Sequence, residues 1–339
     1  MTELNIISKS NLYKKLKSIG LNQGLINKTL PKWWENDVLK TNAGILEFCL
    51  VVKSRLGLDV DIAESGDISF IPKVKNIEFK KRANVEFEKL APSSFLAQGI
   101  TSTLVNILKL NDVAPPNIAK LWEEIKQLED LNLDAVIQLF WQFGLPVIYV
   151  EKLAPNISKP AGMVIKNGDY YCILLGHGQK SPGAQLFVLL HEFGHIVSGH
   201  LENKDIVVDV SMIELSGTLL AEYDEQETEA DNISLSLLRR EQDIQEFFSK
   251  IPSRPSPARL AAIAMQFGKP LGISVSHLAL SYGKETNDWV ATYNALKFIE
   301  RKVVAQDLIK QEFCKYINTV HVRADDLSFL NVVQGIEEE

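Results

Sequence analysis

The sequence predicts an α+β fold, mainly helical, in which a small sheet lies beside an enclosed helix and a helical unit precedes both. Three observations carry this expectation. Apolar residues recur at helical spacing through most of the 339-residue chain, and strand-like runs gather between residues 145 and 175. Asn167-Gly168 joins two of those runs as a hairpin turn. The stretch 186–197 is apolar on nearly every side, as a helix is when it is enclosed by others.

From the amino terminus, short helices are expected over Asn11 to Ile19, from Gly20-Leu21-Asn22-Gln23, around Trp33 to Asp37, and over Ile45 to Leu56 before Gly57. Residues 1–60 carry nine basic side chains against five acidic ones, although the whole chain has a net charge of −7. A Gly-Leu-x-Gln step opening one helix and a Trp-Glu pair after the next resemble the helix-turn-helix of XRE-type regulators. That resemblance implies DNA as a partner for residues 1–65. Pro31 and the paired tryptophans interrupt the pattern, and a helical docking unit is the alternative. Ile68 to Pro72 and the basic run Lys80-Lys81-Arg82 separate this unit from an apolar helix over Phe95 to Leu110. Asn111 to Pro116 then breaks the chain. Residues 66–116 therefore read as a connector.

A core is expected over residues 117–245. Leu121 to Phe143 reads as one helix ending at Gly144, followed by a strand at Leu145 to Val150 and a hairpin of Ala161 to Ile165 with Tyr170 to Leu175. Next comes His191-Glu192-Phe193-Gly194-His195. Histidines four apart lie on one helix face and aim two ring nitrogens at one ion, while Glu192 lies close enough to take a proton from a water there. Composition alone gives about 0.01 such matches in a chain of this length. The pattern is that of a zinc hydrolase. His200 projects about 180° from His191 if the helix continues, so it reads as a helix-end histidine favoured by the C-terminal dipole rather than as a ligand.

A third ligand is sought downstream, where Glu222 to Asp231 leads into Ile233 to Leu238 as a helix with an acidic start. Glu227, Ala230, Asp231, Ser234, Leu237 and Leu238 share one face. Glu227 is the leading candidate beside a small Ala230 that lets two helices approach, with Asp231 placed to orient a ligand histidine. Glu229 and Glu225 are the alternatives; Glu229 lies about 200° away, on the side expected to face solvent. Tyr223 shares the Glu227 face and is a candidate transition-state stabiliser.

The His191–His195 pair followed by Glu227-x-x-Ala230-Asp231, with Ser181 to Phe187 ahead of it, is similar to the ImmA/IrrE family of zinc metallopeptidases. The resemblance implies a zincin-like core, Zn2+ held by His191, His195 and Glu227, and Glu192 as general base. It also implies a protein substrate, of the kind represented by a DNA-bound repressor or an antitoxin. The alternative is a DNA- or partner-binding regulator or toxin whose metal site is structural or weakly active.

The remainder, residues 246–339, reads as helices covering the core, entered through Pro252 to Pro257. His277 lies in an apolar helix and is a second candidate stabiliser should it fold over the ion. With 46% hydrophobic and 23% charged residues, the composition is that of an ordinary globular protein. Cys49, Cys172 and Cys314 are too few and too scattered for a disulfide framework or a cysteine-based zinc site. No apolar run approaches the roughly 20 residues of a membrane span, and the first residues lack a secretory pattern, so a cytoplasmic protein without a membrane partner is expected. The sequence sets no oligomeric state.

Overall fold

The computed structural model describes residues 9–73, 77–80, 87–151, 161–176, 181–202, 206–209, 225–300 and 302–337. Tyr223 and the Lys81-Arg82 part of the basic run lie outside the described residues. The architecture is α+β and mainly helical, as expected.

The amino-terminal unit comprises α1 (Lys9–Ser18), α2 (Gln23–Thr29), a 3-10 turn at Asn36–Lys40 and α3 (Asn42–Arg55). Helices α2 and α3 begin where capping side chains satisfy the first free amides. Asn22 Oδ1 accepts from the Leu25 amide at 2.9 Å, and Thr41 Oγ1 from the Gly44 amide at 3.0 Å. Leu12, Leu16, Leu25, Ile26 and Phe48 close its interior. An unexpected hairpin follows, β1 (Leu58–Ile62) with β2 (Ile68–Pro72), antiparallel.

Helix α4 (Phe87–Leu110) crosses α3 at backbone distance. A Cβ added to Gly99 would lie 2.0 Å from the Arg55 carbonyl oxygen. The single helix expected over Leu121 to Phe143 is two, α5 (Ile118–Gln127) and α6 (Leu133–Gln142). The break is made by Asn132, whose Oδ1 accepts from the Ala135 amide at 3.0 Å and starts a new helix.

The strands β3 (Ile77–Lys80), β4 (Val147–Tyr149), β5 (Gly162–Asn167), β6 (Tyr170–Leu175) and β7 (Ile206–Asp209) form one sheet in the order β3-β7-β5-β6-β4. The expected hairpin is β5–β6, turning between Asn167 and Tyr170, with Gly168 at φ 63°. β7 adds antiparallel to β5, while the outer pairs β3–β7 and β4–β6 are parallel. Against this sheet packs α7 (Pro182–Val197), and against α7 the helix α8 (Glu225–Arg239).

The carboxyl-terminal helices divide between two cores. Helices α9 (Gln245–Ser249), α10 (Pro257–Leu271), α11 (Val275–Thr286) and α12 (Trp289–Ile299) enclose a core of their own around Phe247, Leu260, Phe267, Leu278 and Tyr282. By contrast, α13 (Ala305–Ile317) and α14 (Ala324–Gln334) rejoin the main core, which takes in residues from Leu12 to Leu238 and from Ala305 to Val333. Arg55 ties its two ends together. The guanidinium donates to Thr29 O at 2.7 Å and Asp325 O at 2.9 Å, over the ring of Phe329. No helix among the described residues is long and apolar enough to cross a membrane.

The α3–α4 crossing leaves no room for a methyl group at Gly99. Gly99→Ala should destabilise the fold by about 1–3 kcal/mol, read as a lower denaturant midpoint. A midpoint equal to that of the parent would show that the helices separate at no cost.

Candidate metal centre

Helix α7 starts on a well-built cap. Ser181 Oγ accepts from the Ala184 amide at 3.1 Å, and Pro182 occupies the first turn, where a missing amide costs nothing. Glu300 Oε1 accepts from Ser181 Oγ at 2.8 Å and from the Gly183 amide at 2.9 Å, setting a carboxylate against the positive end of the helix. Burial raises the carboxyl pKa of Glu300, and these hydrogen bonds oppose that shift. Gly183 is required there, since a Cβ would lie 2.3 Å from Ser276 Cβ.

Two turns along, His191 and His195 present their Nε2 atoms to each other at 3.2 Å. Glu227 on α8 faces both, with Oε2 at 3.4 Å from His191 Nε2 and Oε1 at 3.4 Å from His195 Nε2. A tetrahedral ion with bonds of about 2.0–2.1 Å separates its ligand atoms by roughly 3.3–3.4 Å. The two histidine nitrogens have about that separation, and the Glu227 carboxylate spans them with one oxygen toward each, so the three side chains converge closely enough to hold one ion. They are the one group of three or more possible ligands found among the described residues, and no fourth His, Cys, Asp or Glu joins them there.

Burial makes the same point through charge. His191, Glu192 and His195 are at most 1% exposed and Glu227 is 6% exposed. Enclosing the carboxylates of Glu192 and Glu227 together is costly without a counter-charge, which a divalent cation supplies. Glu192 leaves the ligand face and lies against β5. A Cβ added to Gly162 would fall 2.1 Å from Glu192 Oε1 and 2.6 Å from Cδ, so only glycine at the start of β5 accommodates this carboxyl group.

Both ligand rings are held from behind. Asp231 Oδ1 accepts from His191 Nδ1 at 2.8 Å, the contact expected of it. His200 differs from expectation. It is not in the ligand group, but neither does it turn away, because His200 Nδ1 lies 2.7 Å from His195 Nδ1. The helical projection fails since α7 ends at Val197 and Gly199, at φ 72°, folds the chain back. Glu229 is half exposed and also meets His200, with Oε2 at 3.1 Å from Nε2. Neither Glu229 nor Glu225 joins the ligand group. The signal that identifies His200 is Ser198-Gly199-His200, a helix-ending glycine followed by a polar residue.

His277 belongs elsewhere. Its Nε2 accepts from Arg239 Nε at 3.1 Å and lies 3.2 Å from Ser281 Oγ. Arg239 is twelve residues beyond Glu227 on α8, about 18 Å along the axis. The structure thus does not bring His277 to the triad. A cavity of about 520 Å³ at the opposite end of α7, beside Pro182, Leu186 and Glu300, holds none of the triad either.

In the amino-terminal unit, α2 is followed by the five-residue 3-10 turn at Asn36–Lys40. Arg55, the only arginine before residue 60, is internal. Lys15, Lys40 and Lys53 pair with Asp67, Asp37 and Asp59. Cys49 and Cys172 are buried thiols, whereas Cys314 is partly exposed. Compared with known protein families, the chain matches no family model, and comparison with curated proteins finds no match.

Gly162→Ala should displace the Glu192 carboxyl while leaving His191, His195 and Glu227 in place, so that any metal affinity of the triad is retained and any hydrolytic activity falls. Unchanged activity in that variant would separate Glu192 from the chemistry. Acid stability depends on His277. Burial first, then Arg239 and Lys284, push its pKa from 6.5 down to about 3. Below pH 6.5 the unfolded chain binds a proton there that the folded chain refuses, so stability falls as pH drops from about 6.5 toward 3, by up to about 1.4 kcal/mol per pH unit. His277→Gln should flatten the pH dependence of the urea midpoint between pH 7 and 4.5; parallel curves would contradict this.

Proposed function

We propose that the protein is a zinc endopeptidase of the ImmA/IrrE type, acting on a protein substrate. The observation that carries this reading is the convergence of His191 Nε2, His195 Nε2 and the Glu227 carboxylate on one buried point, with Glu192 adjacent on the same helix. Three protein ligands favour a catalytic over a structural zinc, because structural sites close with a fourth. Bound there, zinc would polarise the scissile carbonyl and make a neighbouring water more acidic.

The chain's own residues divide the remaining work. Asp231 fixes the proton of His191 on Nδ1 and leaves Nε2 with a lone pair for the ion. Glu192 takes a proton from the attacking water and gives it to the departing amine as the peptide bond breaks. Its enclosure between α7 and Gly162 keeps the carboxylate near one position, so little reorientation accompanies the transfer. A repressor or antitoxin is the substrate class that the family resemblance suggests, which would place the protein in stress, mobile-element or toxin–antitoxin control. We place its action in the cytoplasm, consistent with cysteines kept as thiols. Residues 117–245 form the catalytic core in this reading.

The test is Glu192→Gln, compared with the parent on candidate regulators encoded beside the gene, with and without chelator. The variant should keep one zinc ion per chain and lose about 10²–10⁴-fold in cleavage rate. Chelator-resistant cleavage, or full activity in the variant, would refute the mechanism.

A further inference from the structure

We infer that His200 is a positioning residue for His195, and that Glu229 acts through it as the distant anchor of the candidate metal centre. The inference rests on the zinc reading above. An imidazole that gives Nε2 to a cation carries its proton on Nδ1. For His195 that proton points at His200 Nδ1, 2.7 Å away. Two nitrogens at that distance share one hydrogen, so His195 donates and His200 accepts. The proton of neutral His200 is then on Nε2, where Glu229 Oε2 accepts it at 3.1 Å. Every link in the chain from Glu229 to His200 to His195 has one direction, and that direction leaves a lone pair on His195 Nε2.

The backbone builds this contact. Ser198 closes α7, the Gly199 amide donates to Ile196 O at 3.1 Å, and the His200 amide donates to His195 O at 3.0 Å. These are the paired bonds of a Schellman ending, which returns the second residue after the cap onto the last turn of its own helix. An apolar pair usually occupies that contact, and here two imidazoles do. His200 is 8% exposed, so water does not readily replace it as the acceptor. His191 has the shorter arrangement, a carboxylate directly on its Nδ1. Both carboxylates come from α8, which also carries Glu227. One helix therefore contributes a ligand and orients the other two.

Substitution of His200 distinguishes this role from simple packing. Asn offers Oδ1 near the position of the histidine Nδ1 and accepts from His195 without needing Glu229; Leu fills space and accepts nothing. Zinc affinity would be measured by chelator competition, and the Co2+-loaded proteins compared by their visible absorption. His200→Leu should weaken zinc binding about 10–100-fold and alter the Co2+ spectrum. His200→Asn should restore most of that affinity, and Glu229→Leu should weaken binding in the parent but not in the Asn variant. Equal losses in the Leu and Asn variants, or parental affinity in His200→Leu, would overturn the inference. A parent that binds no zinc would instead overturn the reading on which it rests. Unfolding midpoints of the metal-free proteins separate loss of fold from loss of affinity.

Discussion

The site depends on how closely α7 and α8 cross. Gly194 sits between the two histidines in sequence, and a Cβ there would lie 2.8 Å from the Ala230 carbonyl oxygen and 2.9 Å from its Cα. Backbone meets backbone at that point, with Ala230 fully buried. Any larger pair would force the helices apart and carry the Glu227 carboxylate away from the two histidine nitrogens. Gly194 and Ala230 have no chemistry themselves, but they set the 3.4 Å separations of Glu227 from both rings.

Enclosure follows from that crossing and creates an electrostatic demand. A surface pair of histidine and glutamate is screened by water and gains little; the same groups at a few per cent exposure interact strongly and tolerate no missing partner. The observed arrangement answers with direction as well as charge. Asp231 and His200 each occupy an Nδ1, so both rings present the same nitrogen inward, and the residues around them hold that choice in place. Phe193 of α7 packs on Phe140 of α6, with ring centroids 5.0 Å apart.

Much of this is legible in the amino-acid sequence. The histidine pair is a local pattern set by helix geometry, and Glu227 follows from a shared face that includes the small Ala230. Asn167-Gly168 specifies its hairpin because that turn requires left-handed backbone. What escapes is non-local or concealed at helix ends. β3 and β7, four residues each, exist through pairing with strands far away in sequence, and nothing within four residues records such a partner. The α5–α6 break is written in Asn132, but apolar residues on both sides give continuous helical spacing across it. His200 escapes because angular projection assumes that a helix continues, whereas Gly199 has already ended it.

The sheet completes the site in a way the helices cannot. A helix fixes Glu192 relative to His191 by spacing, yet its carboxyl has several rotamers. Space open to those rotamers is set from outside, by Gly162, which pairs with Leu175 on one side and Asp209 on the other and so cannot retreat. Absence of a side chain at that one position admits the carboxyl group; presence of the strand limits where it goes. The ligands are therefore set by the contact of two helices, and the acid beside them by the contact of helix and sheet. Because the two contacts are separate, the spacing of the triad and the placement of the Glu192 carboxyl respond to different substitutions.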